Sequence, residues 1–227
     1  MGKILKDIYT DVSISSFLGF KGGTCAYFFY GLPRFSVDLD FDLLSNKEGL
    51  QEMILDKIGL ILEKYGILKD KFIKKSTILL WLSYGDADYN IKIEVNTRKN
   101  IEDIENSYEL KEYLGILIKA AKKEYLFAGK LAALILRKET AARDIYDIYY
   151  FAKNNWDIDR EILRAMTGKS IKEYLADCVE KIGKVKDNQI LTGLGELVSD
   201  KEKDWIRKNL KSETIFLLRN YAAVLKG

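Results

Sequence analysis

The chain has 227 residues, with a hydrophobic fraction of 48%, a charged fraction of 31% and a formal net charge of +3, the balance of an ordinary soluble globular protein and too slight a charge to argue for nucleic acid by itself. It contains no histidine and only two cysteines, Cys25 and Cys178, which excludes Ser-His and Cys-His nucleophilic systems, His-ligated zinc and CxxC redox chemistry. Acid–base work therefore falls to Asp, Glu, Lys or Tyr, with a hard cation as the natural helper. "MGKILKDIYTDV" lacks an apolar signal core and no stretch approaches a membrane span, so a cytoplasmic protein with two free thiols and no membrane partner is expected.

Taken along the chain, Ile4, Ile8 and Val12 fall at helical spacing. "FLGFK" reads as a short strand ending at Gly22-Gly23, and "TCAYFFYG" as a short helix stopped by Gly31. "SVDLDF" alternates as a strand should, and an amphipathic helix is expected from Lys47 to Tyr65. "KFIKKSTILLWLSYG" and "NIKIEVN" read as two strands joined through "GDADY". Beyond Glu102 the strand signal fades. "KEYLGILIKAAKKEYLFAGKLAALILRK", "RDIYDIYYFAKNN", "DREILRAM", "SIKEYLADCVEKIG" and "SETIFLLRNYAAVL" all favour helix. The expectation is an α+β fold, a small mixed β-sheet with flanking helices followed by a helical C-terminal region. Residues 1–110 would form the core, and 111–227 a helical region completing the site cleft.

In a strand, residues i, i+2 and i+4 share a face. Asp38 and Asp40 therefore point one way while Leu39 and Phe41 enter the core. Two such carboxylates lie roughly 6–7 Å apart and repel by ~2–3 kcal/mol at an effective dielectric of 20. A hard divalent ion such as Mg²⁺ relieves that repulsion, because it takes one or two carboxylates together with substrate phosphates. The plainer alternative is a solvated edge strand. Asp42, at the strand's end, reads as solvated.

A strand ending in Gly22-Gly23 before a helix lets backbone N–H groups approach an anion, and Thr24 adds a hydroxyl. The alternative is an ordinary tight turn. "IKIEVN" repeats the acidic pattern. With Ile91, Ile93 and Val95 on one side, Lys92, Glu94 and Asn96 face the other. Beside "SVDLDF", Glu94 would join Asp38 and Asp40, and the three carboxylates with a phosphate-cradling turn are the parts of a two-metal phosphoryl-transfer site. A cross-strand ion pair on a solvated face is the alternative for Lys92 and Glu94.

Lys130 is a single charge within "LFAGKLAALIL" and must snorkel, pair with a carboxylate or face a cleft, where phosphate suits it. In "ARDIYDIYYF", Asp144 and Asp147 lie on one helix flank. Asp144 as an N-cap and Arg143–Asp147 as a surface pair are the plain local reading. The tyrosines of this segment could stack bases, but at helical spacing they read as core.

"FKGGT…RFSVDLDF", "KIE" and "LFAGKLAAL…ARDIYDIYY" together, in this order from Phe17 to Phe151, resemble the AbiEii/AbiGii-type nucleotidyltransferase toxins of the DNA polymerase β-like superfamily. The resemblance implies an enzyme that takes a nucleoside triphosphate, uses Mg²⁺ and transfers a nucleoside monophosphate to an acceptor hydroxyl with release of pyrophosphate. It implies triphosphate binding at Gly22, Gly23, Thr24, Lys92 and Lys130, metal at Asp38, Asp40 and Glu94, and catalytic roles for Asp38, Asp40, Glu94, Lys130 and Asp144. Threonine stands at the turn where serine is common, and glutamate replaces aspartate as the third acid. Such proteins resemble toxins of type IV toxin–antitoxin or abortive-infection systems, which implies a cognate antitoxin from a neighbouring gene; some members modify the 3′ end of tRNA, so tRNA or another RNA is a candidate acceptor. Transfer to a small molecule or a protein hydroxyl, and a catalytically inactive partner-binding module of the same fold, stay open as alternatives.

Overall fold

A computed structural model describes residues 1–45, 47–85, 90–98 and 101–224. The chain divides into two compact units, one of Met1–Gly31 with Ser36–Lys122 and one of Leu32–Phe35 with Lys123–Gly227. Residues 111–122, expected with the helical region, thus belong to the first unit.

The first unit opens with α1 (Gly2–Thr10), whose Ile4, Leu5 and Ile8 are buried. β1 (Leu18–Lys21) leads into α2 (Gly22–Tyr30), which stops at Gly31 in the left-handed conformation, φ 70°. β2 (Asp38–Leu43) and α3 (Leu50–Leu62) follow. The expected single strand "KFIKKSTILLWLSYG" is instead a hairpin, β3 (Ile67–Lys74) and β4 (Thr77–Ser83), because the polar Lys75-Ser76 pair supplies a turn. β5 (Asn90–Asn96) comes next; of the expected "GDADY" turn, all but Gly85 lies outside the described residues.

The stretch expected to be helical from Lys111 instead completes β6 (Tyr108–Tyr113) and forms β7 (Ile116–Ala121), and the first α-helix after them starts at Lys123. Leu114 (φ 52°) and Gly115 (φ 80°) join them, two left-handed residues of the kind a two-residue hairpin requires. The strand order is β3-β4-β5-β2-β1-β7-β6. β2–β5 and β1–β7 are parallel and the other neighbours antiparallel. Burial explains the central position of β2 and β5: Leu39, Phe41, Ile91, Ile93 and Val95 are all buried, so both strands need cover on the apolar face.

The second unit is helical: α4 (Lys123–Leu136), α5 (Ala142–Lys153), α6 (Arg160–Thr167) and α7 (Ile171–Gly183). After them come α8 (Asp200–Trp205), a π-helical turn at Ile206–Leu210, and α9 (Lys211–Val224). Ser170 and Glu173 close a reciprocal capping box at the start of α7. Tyr146 and Tyr149 are buried in this unit, as the core reading expects. Among the described residues, no helix is long and apolar enough to cross a membrane.

Candidate active site

In the first unit, strand register assembles most of the expected site on one sheet face. Asp38 pairs with Lys92 and Asp40 with Glu94 across the parallel β2–β5 ladder, while Lys21 of β1 lies opposite Asp40. Neighbouring strands are only ~4.8 Å apart, so like charges are crowded here. Asp40 carries the consequence: burial pushes its carboxyl above the usual range, Asp38 and Glu94 push it further, and Lys92 and Lys21 oppose them. Glu94 is turned to Lys92, whose ammonium lies 2.7 Å from Oε2. Burial acts to lower the Lys92 pKa, but Glu94, Asp38 and Asp40 outweigh it and hold it above the usual value.

Gly22 joins this face to the helix start. Its φ of 79° is left-handed, and a Cβ there would run into the Asp40 carboxylate. Glycine is thus required twice, for backbone conformation and for the approach of Asp40. α2 begins with no side-chain cap. Helix geometry leaves its first N–H groups without intrahelical partners, and the positive end of the dipole lies there. The Thr24 hydroxyl is committed elsewhere: Oγ1 donates to the carbonyl of Asp38, 2.5 Å away. This bond ties α2 to β2, and what Thr24 can still offer an anion is its backbone N–H.

The residues fit a hard divalent cation by chemistry: oxygen donors, crowded like charges and a carboxyl whose ionised form Lys92 and Lys21 compensate only in part. Among the described residues no three acidic or thiol groups already converge as a metal-holding set. Glu94 is instead engaged by Lys92.

Asp42 departs from expectation. It is 1% exposed rather than solvated. Its carboxylate accepts from Lys21 Nζ at 2.6 Å, Asn96 Nδ2 at 2.7 Å and the Tyr108 hydroxyl at 2.6 Å. A buried carboxylate survives only with such partners.

In the second unit, Lys130 meets Asp144 at 3.0 Å and Asp147 at 2.8 Å. Burial acts to lower the Lys130 pKa, but Asp147 and Asp144 outweigh it. Asp144 is not an N-cap; Ala141 occupies that position, and Asp144 is fully buried against Lys130 and Arg137. Asp147 is not in a surface pair with Arg143. It is buried, held by Arg34 through Nε at 2.5 Å and Nη2 at 2.6 Å. Sequence reasoning missed Arg34, Arg137, Lys21 and the burial of Asp147. The i, i+3 spacing of Asp144 and Asp147 beside an isolated Lys130 is the one signal that pointed toward a buried cluster.

A mixed sheet with a Gly-Gly turn at the start of α2, two aspartates on β2 and a glutamate beside them on β5 is the arrangement expected of a nucleotidyltransferase. The model of the nucleotidyl transferase AbiEii toxin family, of type IV toxin–antitoxin systems, matches residues 3–214, and the chain belongs to that family. Among solved structures it is similar to a candidate nucleotidyltransferase from H. pylori, at 22% identity and a TM-score of 0.61, covering 99% of this chain and 96% of that one. It is also similar to JHP933 from Helicobacter pylori, at 22% identity and a TM-score of 0.57, covering 98% and 94%. At that identity these likenesses speak for the fold alone. No curated protein matches the chain.

Proposed function

We propose that this nucleotidyltransferase moves a nucleoside monophosphate from a nucleoside triphosphate to a hydroxyl at an RNA 3′ end, with tRNA as the acceptor and Mg²⁺ as the cofactor. The observation that carries the reading is Gly22: its left-handed backbone opens an uncapped helix against the Asp40 carboxylate, so N–H groups of the kind that suit an anion lie beside oxygens of the kind that suit a cation. The acceptor oxygen forms a bond to the α-phosphorus, the bond from that phosphorus to the bridging oxygen breaks, and pyrophosphate leaves with the electron pair. The hydroxyl proton passes to a carboxylate of the β2–β5 face. Gly22, Gly23 and Thr24 hold the triphosphate through backbone N–H groups. Lys92 is carried as a second anion contact.

Asp38 and Asp40, with Glu94 once it leaves Lys92, would hold Mg²⁺, which when bound neutralises the triphosphate and polarises the reacting phosphate. The family's type IV description implies an antitoxin partner, and a cytoplasmic site of action suits a triphosphate substrate. The test is incubation with triphosphates labelled at the α-phosphate, Mg²⁺ and, in separate reactions, total RNA, protein and small-molecule hydroxyl acceptors. Label on RNA in the wild type, absent in Asp38→Ala, supports the reading. Label on protein or a small molecule instead would move the acceptor to another class.

A further inference from the structure

We infer that Lys21 is a further triphosphate-binding residue and that Asp42 is its positioning residue; the inference rests on the nucleotidyl-transfer reading above. Lys21 immediately precedes Gly22-Gly23 and occupies the N-cap position of α2. It also lies opposite Asp40 in the β1–β2 register. Its ammonium therefore belongs to the same sheet face as Asp38 and Asp40, at the mouth of the uncapped helix. A lysine has three N–H donors. One is committed to Asp42 at 2.6 Å, and the side chain remains 25% exposed.

Asp42 is built to keep the ammonium there. Asn96 from β5 and Tyr108 from β6 also donate to it, one to each oxygen, so the carboxylate cannot rotate without breaking bonds contributed by other strands. Gly19 makes room for this arrangement, because a Cβ there would overlap the Tyr108 ring. A long flexible lysine loses side-chain entropy when it grips a phosphate. Here the loss has already been incurred in folding, and pre-organisation of this kind raises affinity. Lys130, by contrast, is claimed by two buried carboxylates.

The test uses the full-length chain with four variants, Lys21→Met, Lys21→Arg, Asp42→Asn and Lys21→Met with Asp42→Asn, the last removing both charges so that no buried carboxylate is stranded. Binding of a non-hydrolysable nucleoside triphosphate with Mg²⁺ is measured by calorimetry, thermal unfolding is followed in parallel, and KM and kcat are separated in the transfer assay. The double variant is expected to unfold near the wild-type temperature yet bind triphosphate about 10-fold or more weakly, as loss of a charged hydrogen bond predicts. Lys21→Arg is expected to recover most of that affinity, and Asp42→Asn to raise KM with little change in kcat. Wild-type affinity in the folded double variant overturns the role of Lys21 while leaving transfer intact. An unchanged KM in Asp42→Asn overturns the positioning role. A wild-type chain that neither binds nor transfers overturns this inference together with the reading beneath it.

Discussion

Arg34 holds Asp147 through two parallel hydrogen bonds, from Nε at 2.5 Å and Nη2 at 2.6 Å, across 113 residues of sequence. Arg34 is 2% exposed and Asp147 fully buried, and Lys130 shares the second carboxylate oxygen at 2.8 Å. Arg34 belongs to a four-residue excursion, Leu32–Phe35, in which the chain leaves the sheet unit and then returns to it. The backbone N–H of Phe35 is fastened to the carbonyl of Leu197, and Arg34 Nη1 donates to the Phe35 carbonyl. Leu32–Phe35 are thus anchored by buried charge within the second unit.

Removing Asp147 leaves the Arg34 charge buried without its carboxylate, and removing Arg34 leaves Asp147 with Lys130 alone. Arg34→Ala and Asp147→Ala are each expected to cost about 3–5 kcal/mol, measured as the midpoint of urea unfolding. Arg34→Met combined with Asp147→Leu is expected to recover much of the loss, since a buried pair replaced by apolar groups leaves no unpaired charge. A single variant as stable as wild type would contradict the assignment.

The same pair sets an acid limit. Burial alone would raise the Asp147 carboxyl, but Lys130 and Arg34 outweigh it and hold its pKa below the usual value. A carboxylate with a depressed folded pKa contributes stability that is fully present above its unfolded pKa of about 3.9. That contribution is lost as pH falls from there through the folded value. Circular dichroism should show wild-type stability declining more steeply below about pH 4 than that of Asp147→Asn, which has no proton to take up. Parallel curves would contradict it.

Gly22→Ala is expected to destabilise the fold by about 1–2 kcal/mol for the left-handed backbone alone, with more from the clash of its Cβ with Asp40. Gly49, also left-handed at φ 72° but with open space around it, serves as the control, and its alanine variant should incur the backbone cost only. Thermal melts of the two variants separate the contributions. Equal losses would mean that Asp40 does not press on Gly22.

The two cysteines should behave as inert core groups. Both are fully buried. Burial pushes the Cys25 thiol well up and, with Asp177 adding to it, raises Cys178 to about 12, so neither carries appreciable thiolate at pH 8. A colorimetric thiol reagent should find almost no reactive sulfur in the native protein and two equivalents in urea. Rapid native labelling of either would contradict this.

How much of this was legible beforehand depended on the range of each interaction. The β2 and β5 faces were readable because alternation along a strand is local, and Leu39, Phe41, Ile91, Ile93 and Val95 obey it. The juxtaposition of Asp40 and Glu94 followed once those strands were placed side by side. Asp42 reads as solvated in the sequence because its partner Tyr108 lies 66 residues away, on a strand whose last residues, from Lys111, favour helix by pattern. There, Leu and Ile at mixed spacing hid the period of two, and Gly115 with its left-handed backbone was the overlooked sign. In the second unit, Asp144 and Asp147 fit a surface pattern equally well, and it is partners outside their own helix, Lys130 and Arg137 for Asp144 and Lys130 and Arg34 for Asp147, that make them buried.

Nucleotidyl transfer at the Asp38–Asp40 face beside Gly22 is the proposal on which the others depend. Its most direct measurement is the rate at which label from the α-phosphate of a nucleoside triphosphate enters acceptor RNA with Mg²⁺ present, compared between the wild type and folded Asp38→Ala and Asp40→Ala variants. Label transfer by the wild type and none above background by either variant is the expected result. Transfer that persists unchanged in both variants would contradict it.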